Sequence, residues 1–396
     1  MTLNEKFRNV TGLSLDVEEM IANCPVEEKE KLYNELDWHI GLLYSTCCAE
    51  GKLLSDGSDR AETLKEIYNL LMSSSVADVE EINKAFDELV PGVNKSISIS
   101  EDMQLDKALS VSNGCSATIN VPSGVTMDVS KINAQSAFDV NGYLEVDCEG
   151  EINASKTPGN GSRVFIVNKG GKLKVDSGKF TSNLCVSANG GKVEINGGEF
   201  SSVECPIGFF NSKNETPTEV VINGGKFTAS DNAVVMGNGS TVSGAPCKIK
   251  INGGVYNCNI KSAGYIACGI YNPNYDEIEI DGATFNVTDG CCICSRAGKV
   301  TIKNSVINMK YTGKALEAGK VGDSRVVVPC VPFVFDESAA YPGLKDDAQI
   351  VIGDNVTINV EGEYIHSDKK AALITGTKTA YETKFDADID SRIVGI

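Results

Sequence analysis

The sequence predicts a mainly β protein: a right-handed single-stranded parallel β-helix of about ten rungs, preceded by an N-terminal α-helical domain. Two observations predict it. A six-residue phrase (apolar, Asn or Asp, Gly, Gly, any residue, aromatic) recurs along the middle of the chain, and helical apolar spacing is confined to residues 1–93. Full copies of the phrase run over Ile195–Phe200, Ile222–Phe227 and Ile251–Tyr256, and weaker copies with a single glycine run over Val175–Phe180 and Ile280–Phe285.

The repeat has the period of a solenoid. Its landmarks recur every 20 to 29 residues, which is the length of one solenoid turn. Each copy follows a strand in which two apolar residues flank a mostly polar one, so one face is expected to be buried. The Asn-Gly step suits a backbone of positive φ, and the aromatic residue should stack on its equivalent one rung away. Leucine-rich repeats have a similar period, but their leucine frame and helical segments do not appear after residue 95.

Three domains follow from these patterns: residues 1–93 as a helical anchor and oligomerisation domain, 94–360 as the β-helix, and 361–396 as a C-terminal cap or tail. The predicted helices of the first domain are Leu15–Asn23, Pro25–Leu54, Arg60–Ser73 and Val76–Leu89. Ser75 followed by Asp78 indicates the start of the last helix. The helical domain and the tail are expected to cover the open ends of the solenoid, which would otherwise expose unpaired strand edges.

The charge distribution excludes some classes of partner. The net charge is −18, and residues 1–95 hold 19 Asp and Glu against 9 Lys and Arg. A nucleic-acid surface needs several cations on one face, so we expect no nucleic-acid partner. The N-terminal residues lack the apolar stretch of a signal peptide, and no apolar run is long enough to span a bilayer. Neither secretion by the general pathway nor membrane insertion is therefore expected, and no cofactor motif is present.

The fourteen cysteines are expected to be reduced, buried thiols. They lack paired spacing and the chain is long, which argues against a disulfide scaffold. Cys291, Cys292 and Cys294 invite a metal interpretation. In a strand, however, Cys291 points away from the other two, and no histidine lies nearby to complete a tetrahedral set. We expect no metal there, because free cysteine behaves as a small apolar residue.

The alternative of a polysaccharide-degrading enzyme depends on whether acidic residues can form a catalytic pair. Glycoside hydrolysis uses two carboxyl groups about 5 to 9.5 Å apart. The densest acidic stretch is Asp276, Glu277, Glu279 and Asp281, which supplies the catalytic candidates if the protein is an enzyme. The outward positions of successive strands instead alternate in sign, which favours ion pairs on a solvated face. These positions are Glu145, Lys174, Glu194, Val221, Lys250, Glu279 and Thr301.

Two further groups of residues are candidates for binding. Aromatic rings in loops can stack on sugars, and Tyr265, Tyr271, Tyr275, Phe209 and Phe210 are the glycan-binding candidates. The alternative is that these rings pack their own loops. Three carboxylates near the C-terminus share one strand face and suggest a weak Ca²⁺ site, against the alternative of a solvated edge strand. They are Asp386, Asp388 and Asp390.

The combination of a helical N-terminal module, no signal peptide and Ile-Asn-Gly-Gly-x-Phe rungs resembles the structural fibre and decoration proteins of tailed bacteriophages. The resemblance covers about Ile97 to Val360. It implies a non-enzymatic virion protein, a head fibre or capsid decoration and after that a tail fibre, assembled in the host cytoplasm. Residues 1–93 would attach to capsid or other virion proteins, the chains would form homo-oligomers, with a trimer favoured, and the β-helix would project outward towards host surface glycans. This chain departs from such fibres in lacking a long coiled coil.

Two other classes stay open at this stage. A β-helix tailspike hydrolase or lyase would cleave host polysaccharide, with the acidic stretch as its motivation. A bacterial surface adhesin or a cytoskeletal polymer would share the repetition, and filament formation by the isolated protein would distinguish the polymer.

Overall fold

Parallel strands dominate the structure, which confirms the mainly β part of the predicted fold. The computed structural model describes residues 2–24, 28–49, 63, 67, 74–154, 163–209, 216–230, 232–239, 245–259, 268–310, 312, 332–335, 347–361, 371–372, 376–377 and 393–395. The chain divides into two compact units. One holds Met1–Ser75 and Lys95–Ser98, and the other holds Val76–Asn94 and Ile99–Ile396. The three domains drawn from the sequence stay a prediction.

The first unit contains helices α1 (Leu3–Thr11), α2 (Val17–Ala22) and α3 (Lys29–Ala49). The last two confirm predicted helices within the described residues. Helix α1 was not predicted, although Thr2 and Glu5 form a capping box that marks its start. One apolar cluster holds this unit together, and its buried members are Leu3, Phe7, Val17, Leu36, Ile40 and Ile67.

Helix α4 (Val79–Asp87) belongs to the second unit. It begins later than predicted because Ser74–Val76 forms a strand instead. The N-cap is Asp78, whose carboxylate accepts a hydrogen bond of 2.9 Å from the backbone N–H of Glu81, and not Ser75 as the sequence pattern indicated. Phe86 on the buried face of α4 lies 6.2 Å from Phe138 between ring centroids, so the helix covers the first ring of the strand core.

The strands are numbered in chain order. They are β1 Ser74–Val76, β2 Asn94–Ile99, β3 Met103–Gln104, β4 Leu109–Val111, β5 Ser116–Val121, β6 Thr126–Asp128, β7 Ser136–Val140, β8 Tyr143–Cys148, β9 Glu151–Asn153, β10 Arg163–Asn168, β11 Lys172–Val175, β12 Lys179–Asn189, β13 Lys192–Ile195, β14 Glu199–Phe209, β15 Glu219–Ile222, β16 Lys226–Ala229, β17 Val235–Asn238, β18 Lys248–Ile251, β19 Val255–Asn259, β20 Cys268–Asn272, β21 Glu277–Asp281, β22 Thr284–Thr288, β23 Cys291–Ser295, β24 Lys299–Lys303, β25 Val306–Lys310, β26 Phe333–Phe335, β27 Gln349–Ile352, β28 Thr357–Glu361, β29 Ala371–Ala372, β30 Gly376–Thr377 and β31 Ile393–Gly395.

From β5 to β28, each repeat contributes one strand to sheet A and then one or two strands to sheet B, and the strands pair with their equivalents in the next repeat. Sheet A runs in the order β5-β8-β11-β13-β15-β18-β21-β24-β27-β31, all parallel. Sheet B contains the parallel series β14-β16-β19-β22-β25-β28 and β17-β20-β23-β26. The short strands β29 and β30 pair antiparallel with β26 and β28.

The core is a column of rings between the sheets, here called the aromatic column. Neighbouring rings are 4.7 to 5.6 Å apart between centroids. From Phe180 to Phe285 neighbouring rings are register partners, which confirms that the aromatic residue of the phrase stacks on its equivalent in the next repeat. Phe138 and Phe165 lie at a different strand position, and Phe165 meets Phe180 edge-on. The column consists of Phe138, Phe165, Phe180, Phe200, Phe227, Tyr256 and Phe285.

The two glycines of the repeated phrase have different roles. A Cβ atom on Gly224 would lie 2.9 Å from the carbonyl oxygen of Asn196 in the preceding repeat, so the chains pass too closely for a side chain. Gly225 has a φ of +111°, which L side chains rarely adopt. The positive φ expected at the turn therefore falls on the second glycine, and the first permits the close stacking of repeats.

Candidate functional site

The acidic strand β21 lies between two strands that carry lysines. In the parallel register Glu277 faces Lys248 on one side and Lys299 on the other. At the end of the strand, the Nζ of Lys303 lies 3.2 Å from the carboxylate of Asp281. The amide of Asn304 also donates to Asp281, and these hydrogen bonds lower the pKa of its carboxyl group. Of the outward carboxylates of β21, Asp281 thus forms an ion pair and has a lowered pKa, and Glu277 faces lysines in the register of the neighbouring strands.

Asp276 is different, because it is completely buried. One carboxylate oxygen accepts a hydrogen bond of 2.6 Å from the backbone N–H of Cys247, and the other accepts one of 2.7 Å from that of Asn238. Burial raises the pKa of Asp276 to about 6, against the opposite effect of these two bonds. A Cβ atom on Gly237 would overlap the carboxylate. Asp276 therefore fastens two backbone segments to each other and is inaccessible to a substrate in this conformation.

The alternating charges predicted for the outer face of sheet A form cross-strand pairs. Lys174 is the best-defined example, with its Nζ 2.9 Å from Glu145 and 2.7 Å from Asp176. Burial lowers the pKa of Lys174, but the hydrogen bonds to Asp176 and Glu145 outweigh it and the pKa is raised. Lys192 and Glu219 pair in the same way at 2.9 Å. The ion-pairing interpretation is therefore confirmed for Glu145 and Lys174 among the predicted outward positions.

The aromatic candidates for glycan binding differ in how far their rings are exposed to solvent. Phe209 is completely buried, and Tyr271 is 5% exposed with the guanidinium of Arg296 over its ring at 5.6 Å. Neither ring presents a face to solvent, which corrects the expectation of exposed sugar platforms at these two positions. Tyr275 is 48% exposed and stays a candidate.

The remaining candidates lie outside the described residues. These are the aromatic candidates Tyr265 and Phe210 and the C-terminal carboxylates Asp386, Asp388 and Asp390.

The described cysteines that lie among the strands are buried and free, as expected. Burial raises the pKa of the Cys268 thiol to about 12, so the thiol is protonated at neutral pH. Cys291 and Cys294 belong to one apolar cluster with Cys268, which corrects the expectation that strict alternation would separate them. Among the residues that the structure describes, no group of three His, Cys, Asp or Glu side chains is arranged to hold a metal.

Two rows of asparagines run along the strands: one consists of the asparagines of the repeated phrase, and the other was not singled out by the sequence analysis. The first, here called the turn row, lies after the strands of sheet A: the amide of Asn223 donates to Asn196, and that of Asn252 donates to Asn223, each at 2.8 Å. The second, here called the sheet row, lies on sheet B, and its members are Asn257, Asn286, Asn308 and Asn359. A signal was present, because each of these four residues directly follows the inward residue that joins or extends the aromatic column.

The sheet row borders a cavity of about 360 Å³. Its lining includes Asn286, Asn308 and Asn359 from the row, and Thr288, Lys310 and Glu361 two positions further along the same strands. Lys310 and Glu361 form an ion pair of 2.8 Å. The lining therefore offers amides, a hydroxyl group and one pair of opposite charges, together with the apolar residues Val287 and Met309.

Comparison of the chain with protein-family models, with curated proteins and with solved structures finds no match. In the described part of the chain, no helix has both the length and the apolar character needed to cross a membrane.

Proposed function

We propose that the protein is a non-enzymatic structural protein of a tailed-phage particle, a head fibre or capsid decoration, whose repeats wind as a right-handed parallel β-helix of about ten rungs. The observation that carries the structural role is the aromatic column, which continues from Phe138 to Phe285 with one ring per repeat. Such a stack grows by nearest-neighbour contacts and suits a repetitive scaffold.

The winding is supported by the strand order. Within one repeat the chain passes from sheet A to sheet B, as from β18 to β19 and β20, and then returns to sheet A beside β18 as β21. A closed circuit of this kind in every repeat describes a coil. The right hand follows from the general preference of parallel crossover connections.

The non-enzymatic role is supported by the surroundings of the acidic strand. A general acid needs a raised pKa together with access to substrate. Among the catalytic candidates Asp276 has a raised pKa but is buried, and Asp281 has a lowered pKa and is paired with Lys303. Glu277 and Glu279 face Lys248 and Lys250 in register.

The virion role rests on the resemblance to phage fibre proteins. On that basis residues 1–93 attach the chain to capsid or other virion proteins, the chain forms a homo-oligomer, with a trimer favoured, and the strands contact host surface glycans.

Two measurements test the proposal. Intact particles of a phage that carries the gene, purified on a density gradient, should contain the chain when analysed by mass spectrometry. Host capsular and cell-wall glycans should keep their chain length after long incubation with the purified protein. Absence from intact particles would overturn the virion role, and shortened glycans would favour the β-helix hydrolase or lyase instead.

A further inference from the structure

The sheet row leaves hydrogen-bonding capacity along its length. Asn286 donates to Asn257 at 2.9 Å and accepts from Asn308 at 2.8 Å, and Asn308 in turn accepts from Asn359 at 2.8 Å. A primary amide has two N–H donors and two acceptor sites on its oxygen. Each inner member of the row therefore retains one donor and one acceptor for a ligand.

The spacing of these groups is regular. Asn257, Asn286, Asn308 and Asn359 are direct register partners on neighbouring parallel strands. Neighbouring strands lie about 4.8 Å apart, so the donors and acceptors repeat at about that distance. Thr288, two residues after Asn286, adds a hydroxyl group on the same side of the cavity.

The charges of the cavity cancel. Lys310 and Glu361 are its charged lining residues, and they pair with each other at 2.8 Å. An anionic ligand would meet the carboxylate of Glu361, and a cationic ligand would meet the ammonium group of Lys310. The lining thus matches a neutral ligand rich in hydroxyl groups, since each hydroxyl group can both donate to and accept from an amide.

We infer that the cavity beside the sheet row binds a neutral oligosaccharide chain, with the amides of Asn286 and Asn308 as its main hydrogen-bonding partners. This deepens the proposed function, on which it rests for the glycan contact, and it assigns that contact to sheet B. Three strands at about 4.8 Å span about 10 Å, which fits two or three sugar residues.

The test is a calorimetric titration of the full-length chain with neutral oligosaccharides of about three to six residues, taken from the cello-, chito-, malto- and manno- series. A uronic-acid oligosaccharide of the same length is titrated alongside them. Asn308→Ala should weaken the binding of the neutral ligand by about tenfold or more, because two hydrogen bonds are lost. Thr288→Val, which keeps the side-chain shape, should weaken it by about threefold and provides the test if Asn308→Ala does not fold.

Asn223→Ala is the matched control, because it removes an amide from the turn row, which has the same hydrogen-bonded arrangement at another place. It should leave the affinity unchanged. The inference is overturned if none of the neutral series binds, if the uronic-acid chain binds more tightly, or if Asn308→Ala or Thr288→Val binds as well as the original protein. A chain that is present in particles but binds no neutral glycan would refute this inference alone, and a glycan-binding chain absent from particles would refute only the virion role.

Discussion

At the scale of single residues, the strand core depends on one aromatic ring per repeat. Phe227 is completely buried and lies 4.9 Å from Phe200 and 5.0 Å from Tyr256 between centroids. Removing one ring leaves a gap that its two neighbours cannot fill without leaving register. Phe227→Ala should therefore lower the free energy of unfolding by about 3 to 5 kcal/mol, measured by urea denaturation.

Val255→Ala is the matched control for this prediction. Val255 lies on the strand next to Phe227 but is 36% exposed. Its substitution should change the free energy of unfolding by about 1 kcal/mol or less. Equal effects of the two substitutions would contradict the assignment of Phe227 to the core.

At the same scale, we expect the free energy of unfolding to depend on pH because of the buried carboxyl group of Asp276. Burial raises its pKa from 3.8 to about 6, so the folded protein holds the proton more tightly than the unfolded chain does. The stabilisation from this proton is complete below pH 3.8 and is lost as the pH rises through about 6. The loss amounts to roughly 3 kcal/mol at most, since one pKa unit corresponds to about 1.4 kcal/mol.

The measurement compares the original protein with Asp276→Asn by urea denaturation at about pH 4 and about pH 7. Between these two values the stability of the original protein relative to the variant should fall. A difference that is the same at both values would mean that Asp276 titrates as it does in the unfolded chain.

At the scale of elements, the strands carry a covered ion pair on sheet A and an exposed ion pair on sheet B. The Lys174 and Glu145 side chains are 22% and 10% exposed, whereas those of Lys226 and Glu199 are both 54% exposed. Lys174→Met should leave the Glu145 carboxylate covered but without its ammonium partner, and should lower the free energy of unfolding by about 1 to 3 kcal/mol.

Lys226→Met provides the comparison, because solvent already screens that pair. Its effect should stay below about 1 kcal/mol. Both values come from chemical denaturation at low and high salt, and salt should reduce the effect of Lys226→Met more strongly. Equal losses in the two variants would show that burial of the Lys174 pair adds nothing.

At the scale of the whole molecule, helix α4 covers the start of the aromatic column. Ile82 and Phe86 on this helix are buried, and Phe86 lies against Phe138. A chain that begins at residue 94 should therefore melt at a lower temperature than one that begins at residue 76, because only the second keeps this contact. Identical melting temperatures would mean that α4 does not protect the column.

Light scattering on the same chains tests the predicted assembly. The full-length protein should have the mass of an oligomer, with a trimer favoured, and the chain that begins at residue 76 should be a monomer. If the chain without residues 1–75 is still an oligomer, the contacts between chains lie on the strands and not in residues 1–75.

The sequence alone was sufficient to predict the repeat, the alternation of inward and outward residues along the strands, and the stacking of one ring per repeat. Each of these depends on residues close together in the chain, and the in-register pairing of Phe200 with Phe227 follows directly from their equal places in the phrase. The capping box of α1 is also a local pattern, formed by Thr2 and Glu5, so the start of this helix is contained in the sequence.

The register between strands that are distant in the sequence determines the features that the sequence alone did not predict. Asn308 and Asn359 are 51 residues apart, yet their amides share a hydrogen bond of 2.8 Å across neighbouring strands. Asp276 is buried because segments around Asn238 and Cys247 fold over it, and nothing in its own neighbourhood in the sequence indicates that. Periodicity is a local property and can be recognised in a single sequence. Burial and the surroundings of a site depend on which distant residues the paired strands bring together.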